Sequence, residues 1–409
     1  MPAVLVILII ALAYSLFILG DREKSAEISA VTAKAALVLA ALAAAAGEAP
    51  FIVLLLALIF GVFLLACRIM PEGGAGKKRG RRDFIIFFVF LFILLAGGTG
   101  CAEKEIKMPE IKDSIKLGFI PSVVLPDEKN NGVYIGNERG RRVYFYDIAA
   151  KKRKKAIKTG RYPADIVMGT HKIYIANKRS NTITIYNKIT GKSADIRTGG
   201  RRPSAICVST GEERLYAANT GSSSVAIIDL LTNKRIKRIY TGKWPSDLYL
   251  APDDKLLYVS CKYTNTVEII DAVKKHHLFT KVDTGVSPIK IIPLNKKEIA
   301  ILNEWEYAFN HKSTIIIFDT GEYALKRSIM TPGGISGGAI SKSKKYLYIS
   351  SCLREKLFFI DIEAGKKVFE LDIKGGTPKK MALSEDGKTL YVAAPGSKKI
   401  IIISVNGLS

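Results

Sequence analysis

The chain has 409 residues and a formal net charge of +25 at pH 7, with 62 Lys and Arg against 37 Asp and Glu. Five cysteines and four histidines in that length exclude a dense disulfide scaffold and leave little material for a clustered metal site. The cationic excess points to anionic partners, the alternative being a solvated basic surface with no partner.

Taken from the N-terminus, residues 3–19 and 50–67 are almost wholly apolar, and the Ala-rich segment 30–46 lies between them. Each approaches the length that spans a bilayer, so 1–69 is expected to be a membrane-spanning region of transmembrane helices. A shorter apolar run, Phe84–Ala96, follows the basic cluster Lys77–Arg82 and ends in Gly97-Gly98-Thr99-Gly100-Cys101. That order of charged, apolar and small residues marks 70–100 as a signal peptide or signal anchor. Thr99 and Gly100 before Cys101 resemble a bacterial lipoprotein processing site, which implies lipidation at Cys101, although Gly98 stands where Leu is usual. The alternative is a fourth membrane helix with an incidental cysteine. Translation could begin at Met1 or at Met70. With Lys77–Arg82 kept on the cytoplasmic side, either start puts the remainder outside the cytoplasm, in the periplasm or at the cell surface. Residues 101–113 are charged and read as a short tether.

From Ser114 to the C-terminus a degenerate unit of about forty residues recurs seven times. Its second-strand tyrosine falls at Tyr134, Tyr174, Tyr216, Tyr258, Tyr348 and Tyr391, with Ala300 in place of the fifth. Each unit contains short runs rich in Val, Ile and Tyr that alternate with period two and are separated by Gly, Asn, Asp and Lys. Four antiparallel strands per unit form a sheet with two apolar faces that only neighbouring units can cover. The expected fold is all-β: a seven-bladed β-propeller of four-stranded blades over residues 114–409. The last unit ends after its third strand, Lys399–Ile403, and Ser114–Gly118 reads as the missing fourth, so an N-terminal strand should close the ring.

The units carry Gly-x-x-Pro, then Tyr174-Ile175-Ala176-Asn177, Tyr216-Ala217-Ala218-Asn219 or Tyr391-Val392-Ala393-Ala394, then Val-x-Ile-Asp segments. This pattern resembles the YVTN-type β-propeller repeat. The resemblance implies an extracytoplasmic or cell-surface propeller and does not define a ligand.

With strands running up and down, the Gly-x-x-Pro loops share one face with the loops between second and third strands. Arg161, Tyr162, Arg201, Arg202, Lys243 and Trp244 lie there, joined by Trp305 and Tyr307 in an insertion spanning Asn303–His311. Aromatic rings beside cations can stack on sugar rings or grip flat ligands, which makes these eight the binding candidates. The structural alternative is that the rings cap the core between blades. Asp165, Asp247, Lys290 and Lys380 each stand two places after their blade's Pro, near the channel mouth. Two such carboxylates could hold a cation, but salt bridges to the two lysines explain them better.

Catalysis finds little support. His171, His276, His277 and His311 are scattered, the recurring Asp147, Asp229, Asp271, Asp319 and Asp361 stand where they would cap turns, and Cys207, Cys261 and Cys352 are in separate blades. The chain is expected to be a non-catalytic, membrane-anchored scaffold that needs no cofactor or metal. Its partners, besides the membrane, would be an anionic polymer such as a glycan, a lipid headgroup or a protein. Nucleic acid is not the expected partner of an exported domain. A lactonase-like or quinoprotein-like enzyme and a structural surface-layer subunit are the alternatives.

Overall fold

A computed structural model describes residues 107–273, 276–305 and 312–408. The apolar runs before residue 100, Cys101, Tyr307 and His311 lie outside the described residues. Among the described residues no helix is long and apolar enough to cross a membrane.

Seven antiparallel four-stranded sheets make up the described chain. Their innermost strands are Pro121–Asp127, Pro163–Met168, Pro203–Val208, Pro245–Leu250, Val286–Pro293, Ile335–Ile340 and Met381–Leu383. Each packs against the innermost strand of the next blade, and the seventh against the first, so the ring is closed. Four of the strands start on Pro, where no ladder donor is required.

Closure uses both chain ends, as expected. The strand Glu110–Lys116 pairs antiparallel with Lys399–Ser404, and Ile115 enters a core with Ile400, Ile402, Val124 and Val133. The strand begins at Glu110, inside the segment expected to be tether. Its first residues are exposed and a bulge breaks its register between Ile111 and Asp113, which gives it the charged, irregular look of a linker.

There is one hydrophobic cluster for each of the seven blade interfaces. Tyr174, Tyr216, Tyr258 and Tyr348 are among the largest fully buried side chains. Burying one aliphatic or aromatic side chain contributes roughly 1.5–3 kcal/mol. The hydroxyls are also used across the interface: Tyr216 donates to the Ala272 carbonyl at 3.4 Å and Tyr348 to that of Leu408 at 3.2 Å.

The recurring Asp at the end of the third strand caps the following turn. Asp147 accepts from the Ala150 N–H at 2.7 Å, Asp229 from Thr232 at 2.7 Å and Asp361 from Ala364 at 2.8 Å.

The glycine of Gly-x-x-Pro serves close approach rather than a special turn conformation. A Cβ on Gly160 would lie 2.8 Å from the Asn177 side chain, and one on Gly200 would lie 2.5 Å from that of Asn219. Positive φ falls instead on the residue before Pro, at 59° for Tyr162, 58° for Arg202 and 62° for Trp244. Bulky side chains rarely adopt that region, so the surrounding loop must hold them there.

Candidate functional site

The upper face is the one carrying the Gly-x-x-Pro loops, and its construction repeats from blade to blade. The loop between second and third strands donates two backbone N–H groups to the two residues before Pro. Lys178 donates to Tyr162 at 2.9 Å and Arg179 to Arg161 at 3.0 Å. Lys262 donates to Trp244 at 2.9 Å and Tyr263 to Lys243 at 3.1 Å, while Thr220 and Gly221 do the same for Arg202 and Arg201. Blades two, three and four therefore present both loops as one bonded unit, with the strained pre-Pro residue clamped at its centre.

A bulge then aims the next residues. In five blades the register slips just after the first residue of the innermost strand, as between Pro163 and Asp165 or Pro245 and Asp247, and in blade five it slips between Pro288 and Lys290. The bulged serine turns toward the neighbouring blade: Ser246 donates to the Pro288 carbonyl at 2.7 Å and Ser336 to that of Pro378 at 2.6 Å. Ser122 and Ser204 make the same bond to Pro163 and Pro245.

The polar set expected near the channel mouth is assembled as two ion pairs. Lys290 lies 3.1 Å from Asp247, and Lys380 lies 2.8 Å from Asp165. Each carboxylate also accepts from the innermost strand of a neighbouring blade: the Asp165 oxygen not paired with Lys380 accepts from Ile206 (3.0 Å), and Asp247 Oδ2, which Lys290 shares, accepts from Ile291 (2.9 Å). Burial works against the charge on Lys290, but the carboxylates of Asp247 and Asp165 outweigh it and hold its pKa above the ordinary lysine value. Both carboxylates are thus occupied as struts. Among the described residues no group of three or more His, Cys, Asp or Glu is placed to hold a metal ion.

Above this layer the face is aromatic and cationic. The Lys178 ammonium lies 5.6 Å from the Tyr162 ring centroid and 6.0 Å from that of Trp244, between blades two and four. Arg179 stands 5.6 Å from the same Tyr162 ring, and Trp244 packs on Tyr263 at 5.1 Å. Burial, then the charges of Lys380 and Arg202, with a smaller push from Lys379, lower the Lys178 pKa; Glu138 opposes them weakly. A lysine enclosed by rings and surrounded by other cations is short of negative charge, which an anion bound at the mouth would supply.

Of the eight binding candidates, Tyr162, Trp244 and Arg202 gather around Lys178, while Arg161, Arg201 and Lys243 are exposed on the same loops. Trp305 ends the second strand of blade five opposite Val286, and among the described residues no ring or cation contact joins it to the cluster. Its neighbour Glu304 is instead ion-paired with Lys262. The sequence alone did not single out Lys178 as a candidate. Its signal was its place directly after the Tyr-x-x-Asn segment, next to the Tyr162 loop.

Three cysteines are among the described residues. Cys207, Cys261 and Cys352 are free thiols, and burial, with the nearby Glu268 charge, pushes Cys261 up to about 12.

The sequence pattern of YNCE-like β-propellers matches residues 169–381, from the first turn of blade two to the innermost strand of blade seven. The chain belongs to the YNCE-like β-propeller family. No curated protein matches it significantly. Among solved structures, a chain of Kuenenia stuttgartiensis hydrazine synthase is similar with a TM-score of 0.62 and 18% identity, over 71% of this chain and 97% of that one. A likeness that distant concerns the propeller fold alone. For a YNCE-like propeller the site must therefore be argued from its own geometry.

Proposed function

We propose that this YNCE-like propeller is a non-catalytic recognition scaffold, held at a membrane by its N-terminal hundred residues, that binds acidic polysaccharide with its upper face outside the cytoplasm. The observation that carries the reading is Lys178 held between Tyr162 and Trp244 amid Arg202, Lys379 and Lys380. Aromatic rings stack on sugar faces, and the cations take the carboxylates or sulfates of the same polymer. The basic cluster Lys77–Arg82 followed by the apolar run Phe84–Ala96 supports export, with residues 70–100 acting as signal peptide or anchor and Cys101 as the acylated residue if that segment is cleaved. Among propeller repeats, the Tyr-x-x-Asn segments favour the YVTN type.

Titration of the full chain in detergent with oligouronates, against neutral oligosaccharides of equal length, tests the reading. Binding of the acidic series alone, weakening with added salt, supports it; equal binding of both series, or of neither, removes it.

A further inference from the structure

The opposite, lower face carries a feature that recognition at the upper face does not use. The third strand of blade seven runs from Lys399 at the upper face to Ser404 at the lower, and Glu110 pairs with Ser404. The chain therefore enters the ring at the lower face, where the Lys107 backbone lies against Gly407.

Large apolar residues stand exposed around that same face. Leu231 is 91% exposed and Ile189 73%, each at the tip of the turn from third to outer strand in blades three and two. Val273 and Leu278 in blade four, Leu325 in blade five, and Met108 and Ile111 at the chain entry continue the series. Exposed lysines alternate with them at the start of the outer strands: Lys152, Lys192, Lys234 and Lys366. Several acids of this face are engaged within the ring. Glu212 accepts from the Thr170 N–H, Asp254 from Thr210 at 2.9 Å, and Glu128 from Glu385. Glu322 and Glu363 are exposed on the same face in blades five and six, beside exposed Lys296, Lys297, Lys342 and Lys344.

We infer that the lower face docks on an anionic bilayer, with Ile189, Leu231 and Val273 entering the headgroup layer and the lysines contacting lipid phosphates. Scattered aliphatic tips ringed by lysine are the surface chemistry of peripheral membrane contact. Reach supports this occupant: residues 97–106 separate the last apolar run from Lys107, and ten extended residues span at most about 35 Å. The inference rests on the anchored reading above, and it turns the Lys178 mouth away from the membrane.

The two native tryptophans, Trp244 and Trp305, are both on the upper face and provide an internal control. The full chain carrying Leu231→Trp is reconstituted in vesicles of brominated phosphatidylglycerol or brominated phosphatidylcholine, and flotation is scored alongside emission. The expected result is that the added tryptophan is quenched at least two-fold more than the native pair in brominated phosphatidylglycerol, and that Lys192→Glu with Lys234→Glu halves the effect. Equal quenching in both lipids overturns the anionic preference. A floating chain whose added tryptophan is unquenched overturns docking but leaves anchoring intact, and concentration-dependent shielding of that tryptophan would assign the face to a second copy. A chain that does not float removes the anchored reading and this one with it.

Discussion

Lys380 in the last blade places its ammonium 2.8 Å from the carboxylate of Asp165 in the second, bridging across the first blade, where Val123 occupies the equivalent position. The same carboxylate accepts from the Ile206 N–H of the third blade. One side chain thus ties together segments on both sides of the ring closure.

The two partners should not be equivalent to mutation. Asp165→Ala removes the ion pair and strands the Ile206 N–H, a loss of about 1–3 kcal/mol. Lys380→Met removes the pair and a bond to the Ala164 carbonyl at 2.9 Å but leaves the Ile206 N–H bonded, and with a lysine 40% exposed it should cost less, about 1 kcal/mol. Urea unfolding of both variants checks the ranking.

Glu268 should make stability depend on pH in the sense opposite to most carboxylates. It is buried, one oxygen accepts from the Gly242 N–H at 2.9 Å, and burial raises its pKa against the weaker pull of that bond and of Lys281. The folded state therefore holds a proton that the unfolded chain releases near pH 4.3, and stability falls as pH rises from there through the raised folded value. Glu268→Gln keeps an acceptor for Gly242 and removes the charge. Its melting temperature should exceed the wild type's at pH 7 and match it near pH 4; a higher melting temperature at both pH values would contradict this.

The Gly160–Asn177 contact predicts a compensating pair. Gly160→Ala places a Cβ 2.8 Å from Asn177 and should cost about 1–3 kcal/mol, as overpacking does. Adding Asn177→Gly removes both crowding atoms of that side chain, Cβ and Cγ, while the Ser180 Cβ stays 2.9 Å away, so the double variant should recover part of the loss and be more stable than the sum of the two single changes allows, measured as a double-mutant cycle in chemical denaturation.

Much of this architecture was legible in the sequence because it repeats. Seven tyrosine-equivalent positions, strand-initiating prolines and turn-capping aspartates are local features, and the Asp165, Asp247, Lys290 and Lys380 pairings followed from a shared offset after Pro. What was not legible depends on distance between blades. Lys178 is distinguished from other loop lysines only by meeting Tyr162 from its own blade and Trp244 from two blades on. Trp305, grouped with Trp244 by composition, ends its strand away from that meeting point. The start of the N-terminal strand at Glu110 was hidden because an outer strand buries little and so lacks apolar alternation.

The aromatic residues can therefore be ranked. Trp244→Ala should weaken oligouronate binding at least ten-fold, and Trp305→Ala less than three-fold, with both variants retaining the wild-type circular dichroism. The reverse order would move the site to blade five.

Lys178 offers the most direct measurement: oligouronate affinity of wild type and Lys178→Met by calorimetry, across a pH series, together with unfolding stability. Its lowered pKa means that the wild type loses one site charge below the ordinary lysine range, so its affinity should drop on the alkaline side earlier than a normal lysine would dictate. Lys178→Met should bind at least ten-fold more weakly at pH 7, lose that alkaline step, and gain roughly 0.5–2 kcal/mol of stability from relieved repulsion. Unchanged affinity in a folded Lys178→Met protein would contradict the assignment of the upper-face mouth as the binding site.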